Sequence, residues 1–79
     1  MAGRPRRSAV AMALEVEITE HERMVILGYA AGMTAGEIAD IYHWSIHTIR
    51  VRTTSARLKL RAKNQAHLVA LALRAGIIC

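Results

Sequence analysis

The sequence predicts an all-α domain of four helices with a basic N-terminal extension, and three observations predict it. The apolar fraction of 53% holds almost no aromatic mass, only Trp44, Tyr29 and Tyr42 with no Phe. A core of Ala, Ile, Leu, Val and Met follows, a composition that favours packed helices. Thr19, Thr34, Ser45 and Asn64 stand before four successive segments, and their side-chain oxygens can accept from the orphan amides of a helix start. Within the segments apolar residues recur at helical spacing, as in Ile49, Ala56 and Leu60. A chain of 79 residues buries a limited core, so one small domain is expected.

Thr19 is followed three residues later by Glu22, a capping box that opens a first helix running to about Ala31. Gly32 ends it, because a left-handed residue just past the last turn costs glycine little. Thr34 and Glu37 repeat the box and open a short second helix through Ile38, Ala39 and Tyr42. Ser45 caps a third helix that meets no Gly or Pro before about Leu60, with Thr53 small enough to complete its apolar stripe. Asn64 caps a fourth, carrying Leu68, Val69, Ala72 and Leu73 until Gly76 stops it. Residues 1–17 read as a basic arm leading into a short helical extension, with Pro5 opposing early helix; residues 18–79 form the domain.

Cys79 is the single cysteine, which excludes an intrachain disulfide and a thiolate metal cluster and fits a reducing cytoplasm. Arg4, Arg6 and Arg7 precede the apolar run from Ala9 to Leu14, but the run is short and Glu15 and Glu17 follow at once; neither a signal peptide nor a membrane span is expected. The net charge is +5, and its placement is lopsided. All six acids, Glu15, Glu17, Glu20, Glu22, Glu37 and Asp40, precede residue 41, whereas Arg50, Arg52, Arg57, Lys59, Arg61, Lys63 and Arg74 occupy an acid-free second half. That half attracts a polyanion.

Only about three residues, around His43 to Ser45, separate the second and third helices, which is the connection of a helix-turn-helix unit. The third helix carries Arg50, Arg52, Arg57 and Lys59 with Thr48, Thr54 and Ser55, so it offers phosphate ligands and base-edge readers on one element. Arg50 is the foremost candidate for a base contact, because a guanidinium can bond bidentately to guanine. His47, near the helix start, is read as facing DNA.

Ile18-Thr19, Glu22-Arg23, Val25-Ile26, Ala30, Gly32, Thr34, Glu37-Ile38-Ala39, Ser45, Thr48-Ile49-Arg50, Lys59-Leu60, Asn64 and Leu68-Val69 form one ungapped pattern. In this, the stretch from Ile18 to Ile78 resembles the LuxR-type DNA-binding domain of quorum-sensing and response regulators. The resemblance implies a third helix, about 45–60, that reads the major groove, and a fourth that supplies much of a dimer contact. It implies base-edge positions for Arg50, Val51 and Thr54, phosphate positions for Thr34, Gly36, Ser45, Thr48, Arg52, Ser55 and Lys63, and a capping role for Glu37. The chain departs from the family pattern at Gly36, where lysine is frequent, at His43 and Arg61, where glycine is usual, and at Trp44 and Arg52, where a small aliphatic residue and histidine are usual. Gly28 stands inside the first helix where a large apolar residue is usual, and Trp44 is the candidate to fill its space.

Of His21, His43, His47 and His67, the pair His43 and His47 is four apart but straddles the turn, and a zinc site needs three or four convergent ligands; no metal, cofactor or small-molecule ligand is expected. Gly3-Arg4-Pro5-Arg6 resembles the core of an AT-hook, against the plainer reading of a basic tail giving salt-dependent affinity. Leu71 and Ala75 are expected to project from the fourth helix as a self-complementary dimer seam. The expected function is sequence-specific binding of double-stranded DNA and transcriptional regulation by a stand-alone cytoplasmic, nucleoid-associated homodimer controlled by its abundance. The alternative is an interaction module for RNA polymerase or another regulator through Met24, Leu27 and Met33, and a third reading is a sigma-factor-like promoter module. An enzyme is not expected, because no nucleophile with a positioned base and no paired carboxylates stand out.

Overall fold

The computed structural model describes residues 17–79. The expected arm and extension, including Gly3-Arg4-Pro5-Arg6, lie outside the described residues apart from Glu17. Four helices follow in order: α1 Glu20–Ala30, α2 Ala35–Tyr42, α3 Ile46–Leu60 and α4 Gln65–Arg74. No strand occurs among the described residues.

Each helix starts where its cap requires. Thr19 and Thr34 form reciprocal boxes, their hydroxyls accepting from the amides of Glu22 and Glu37 at 3.1 and 3.2 Å while those carboxylates accept from the cap amides at 2.9 and 2.8 Å. Ser45 and Asn64 accept from the amides of Thr48 and His67. Each such cap stabilises its helix by about 1 kcal/mol.

All four helices end in the same way. Gly32, His43, Arg61 and Gly76 adopt positive φ, and the amide after each reaches back five residues: Met33 to Gly28 O, Trp44 to Ala39 O, Ala62 to Arg57 O and Ile77 to Ala72 O, all at 2.9–3.0 Å. These are Schellman closures, which satisfy carbonyls the helix leaves orphaned. His43 and Arg61 do at φ 59 and 58 what glycine does freely, so the two turns keep their geometry at some cost in strain.

α1 lies between two apolar clusters. Ile26 meets Ala56, Leu60, Leu68, Ala72 and Ile78 from α3, α4 and the C-terminal segment, and Val25 and Tyr29 meet Ile38, Ala39 and Ile49 from α2 and α3. Burying each of the larger side chains contributes about 1.5–3 kcal/mol. Gly28 lets α1 and α2 approach: a Cβ there would stand 2.6 and 2.7 Å from Cγ1 and Cδ1 of Ile38. Ile38, and not Trp44 as expected, fills the space.

Candidate nucleic-acid interface

The packing of α3 decides which of its side chains can meet a partner. Ile49, Ala56 and Leu60 are buried, and Thr53 completes the stripe with its hydroxyl satisfied. That hydroxyl donates to Ile49 O at 2.7 Å, so in its 2.9 Å contact with Tyr29 the phenol is the donor. The opposite face is open. His47, Arg50, Val51 and Thr54 are exposed and together line a shallow depression of about 280 Å³. Their spacing, i, i+3, i+4 and i+7, makes one column of the helix surface. Leu58, 75% exposed, continues that column one turn further, and no motif in the sequence marks it.

The start of α3 stands beside this column. Ser45 and Thr48 share a hydroxyl hydrogen bond of 2.9 Å, and the free amides there favour an anion. Thr34 is exposed and caps α2, its hydroxyl proton free of the cap bond; Gly36 follows half-buried on the first turn. Lys63 is exposed, with its backbone fixed on both sides: its amide donates to His67 Nδ1 at 3.0 Å and its carbonyl accepts from Arg57 Nη2 at 2.8 Å.

Three residues expected at the DNA also make contacts within the domain. Glu22, 4% exposed, accepts from Ser55 Oγ at 2.5 Å and from Lys59 Nζ at 2.9 Å in addition to its cap bond. Lys59 also donates to Glu17 O. Ser55 and Lys59 therefore tie α3 to the start of α1 from positions one turn apart on the side facing α1. Burial pushes the Glu22 carboxyl up, but the hydrogen bonds from Ser55, Lys59 and the Thr19 amide, with the Lys59 charge, outweigh it and hold it below its ordinary value. Arg57 is half-buried and braces the connection between α3 and α4 through Lys63 O.

Arg52 is half-buried and lies over the indole of Trp44, its Cζ 5.8 Å from the ring centroid. On α4 the expectation for Ala75 is corrected: it is 5% exposed and belongs to the core, because the chain turns back at Gly76 and places Ile78 in the first cluster. Leu71 is half-buried against that cluster, and Leu73, 49% exposed, is the apolar side chain α4 presents. Leu27 and Met33 likewise pack against the two clusters, which removes most of the apolar surface that an interaction module would use. Among the described residues no group of three or more His, Cys, Asp or Glu could hold a metal ion, and no helix is long and apolar enough to cross a membrane.

Residues 16–72 match the family of bacterial regulatory proteins, luxR family. The chain is 41% identical over 61 residues to the transcriptional activator protein BjaR1 of Bradyrhizobium diazoefficiens, an alignment covering 77% of this chain and 25% of that protein. The chain thus spans about a quarter of the length of this relative. No solved structure matches it. With a family match over most of its length and four capped helices enclosing a helix-turn-helix, the chain belongs to the luxR family of bacterial regulatory proteins, a family of DNA-binding regulators and not of enzymes.

Proposed function

We propose that the domain binds double-stranded DNA sequence-specifically and regulates transcription, with α3 in the major groove and a homodimer on a two-half-site operator. The observation that carries this reading is the column of His47, Arg50, Val51 and Thr54 lining one open depression on the face of α3 that the core leaves free. Arg50 is the guanine reader, Val51 meets a thymine methyl, and His47 and Thr54 supply hydrogen bonds to base edges. Thr34, Gly36, Ser45, Thr48, Arg52 and Lys63 hold phosphates on either side.

The relative's name, a transcriptional activator, supports the regulatory role. The dimer seam uses Leu73, the large apolar side chain that α4 exposes, in an isologous contact of α4 against α4. RNA polymerase contact through Met24, Leu27 and Met33 is the weaker reading, since Leu27 and Met33 serve the core.

Selection of bound sequences from a random duplex pool, then titration of the enriched site at two salt concentrations, tests the proposal. An enriched inverted repeat with steep salt dependence is expected. Binding without enrichment would refute sequence-specific readout, and no binding at low salt would refute DNA as the partner.

A further inference from the structure

We infer that Trp44 is a positioning residue for DNA-backbone binding, its indole face presetting the Arg52 guanidinium as a phosphate ligand at the edge of the α3 reading face. The inference rests on the reading of Arg52 as a phosphate ligand proposed above. It adds a residue from the turn to the recognition machinery and assigns the aromatic cluster there a task beyond packing.

The indole is held from several directions. The Trp44 amide closes α2 on Ala39 O at 3.0 Å, which fixes its backbone immediately after the left-handed His43. Its ring packs against the cluster formed by Val25, Tyr29, Ile38, Ala39 and Ile49. His21 from α1 meets it edge-on at 4.8 Å and 60°, and Tyr42 from α2 lies tilted against it at 5.0 Å. A ring so confined is a rigid platform.

Arg52 rests on that platform without a carboxylate. It forms no ion pair among the described residues, and its Nε is buried without a hydrogen-bond partner. The attraction of the ring holds the cation at 5.8 Å. A guanidinium held over a ring by its charge makes no hydrogen bond to that ring, so its terminal N–H donors are left for an oxyanion. Arg52 lies one helical turn beyond Thr48, whose amide and hydroxyl meet Ser45 at the start of α3. The charge is therefore localised beside the capped helix start before any partner arrives, and less side-chain ordering is left for binding.

The test is fluorescence-anisotropy titration of Trp44→Leu, Arg52→Lys, Arg52→Ala and the Trp44→Leu/Arg52→Lys double variant. Each is titrated with the selected duplex and with a scrambled one at one salt concentration, and circular dichroism reports folding. Trp44→Leu and Arg52→Lys should each weaken binding to both duplexes by about two- to tenfold, with the preference between duplexes unchanged and the double variant no weaker than Arg52→Lys alone. Fully additive losses, or a lysine that replaces the arginine without loss, would overturn the platform. If Trp44→Leu does not fold, the comparison of Arg52→Lys with Arg52→Ala decides alone, because lysine keeps the charge and lacks the plane. Loss of binding on Arg50→Ala with none on Arg52→Ala would remove Arg52 from the phosphate set. Failure of the unsubstituted protein to bind any duplex would instead sink the DNA reading itself.

Discussion

Glu22→Ala strips a buried carboxylate from the junction of α1 and α3 and removes the acceptor that three donors share: the Thr19 amide, the Ser55 hydroxyl and the Lys59 ammonium. Hydrogen bonds to a charged group contribute about 1.5–3 kcal/mol each when both partners are buried, and loss of a cap costs about 1 kcal/mol. The losses do not simply add. The Lys59 side chain is 30% exposed and keeps Glu17 O as a partner, so its charge can turn to water. The expected cost is about 2–4 kcal/mol, in a domain whose whole stability is about 5–10 kcal/mol. Lys59→Met should cost less, about 1–2 kcal/mol, because Glu22 keeps two donors. Urea unfolding followed by circular dichroism measures both, and the double variant should show that the effects overlap. A cost below about 0.5 kcal/mol for Glu22→Ala, the size of an ordinary surface change, would refute the lock. So would a Lys59→Met variant that loses DNA affinity while keeping full stability, because Lys59 would then act at the DNA as the sequence alone implies.

The lowered Glu22 carboxyl also sets a pH dependence. A group whose folded value is depressed contributes stability above its unfolded value and loses it below, so the urea midpoint should hold above the ordinary value of 4.5 and fall as pH drops below it; Glu22→Gln should flatten that fall, and an unchanged slope would contradict the assignment. Gly28→Ala gains about 1 kcal/mol of helix propensity yet drives a methyl to 2.6 Å from a fully buried Ile38. A net loss of about 1–2 kcal/mol is expected in the same unfolding assay, whereas a stabilised variant would show that α1 and α2 can part freely. His43→Gly and Arg61→Gly relieve left-handed residues at two helix ends and should each raise thermal stability, by up to about 1 kcal/mol; a fall in either melting temperature would mean that the side chain does more than occupy the turn.

The four helices were legible because their starts are written in side-chain chemistry: every one of Thr19, Thr34, Ser45 and Asn64 caps where the sequence places it. The ends were half legible. Gly32 and Gly76 announce themselves, whereas His43 and Arg61 close their helices through backbone bonds that any residue can make once it accepts the strain. On α3, helical spacing separated Ile49, Ala56 and Leu60 from Val51 and Thr54, but charge alone could not say that Lys59 and Ser55 look inward. Their partner is Glu22, more than thirty residues away in the chain, and in the sequence Glu22 reads fully as a capping residue. Ala75 was misplaced for a related reason, since the return of Ile77 and Ile78 onto the core depends on the turn at Gly76. Trp44 and Arg52 each stood out singly as departures from the family pattern; that they meet is visible only once the turn has folded.

The most direct test of the reading face is the ratio of affinities for the enriched and scrambled duplexes, measured for the unsubstituted protein and for Arg50→Ala at a fixed salt concentration. With Arg50 at a base edge, the substitution should cut that ratio by the equivalent of about 1–3 kcal/mol while changing scrambled-duplex binding little, and Lys63→Ala should weaken both equally and lower the salt slope by about one. An Arg50→Ala variant that weakens both duplexes equally and leaves the ratio intact would place Arg50 on the backbone and contradict the account of α3.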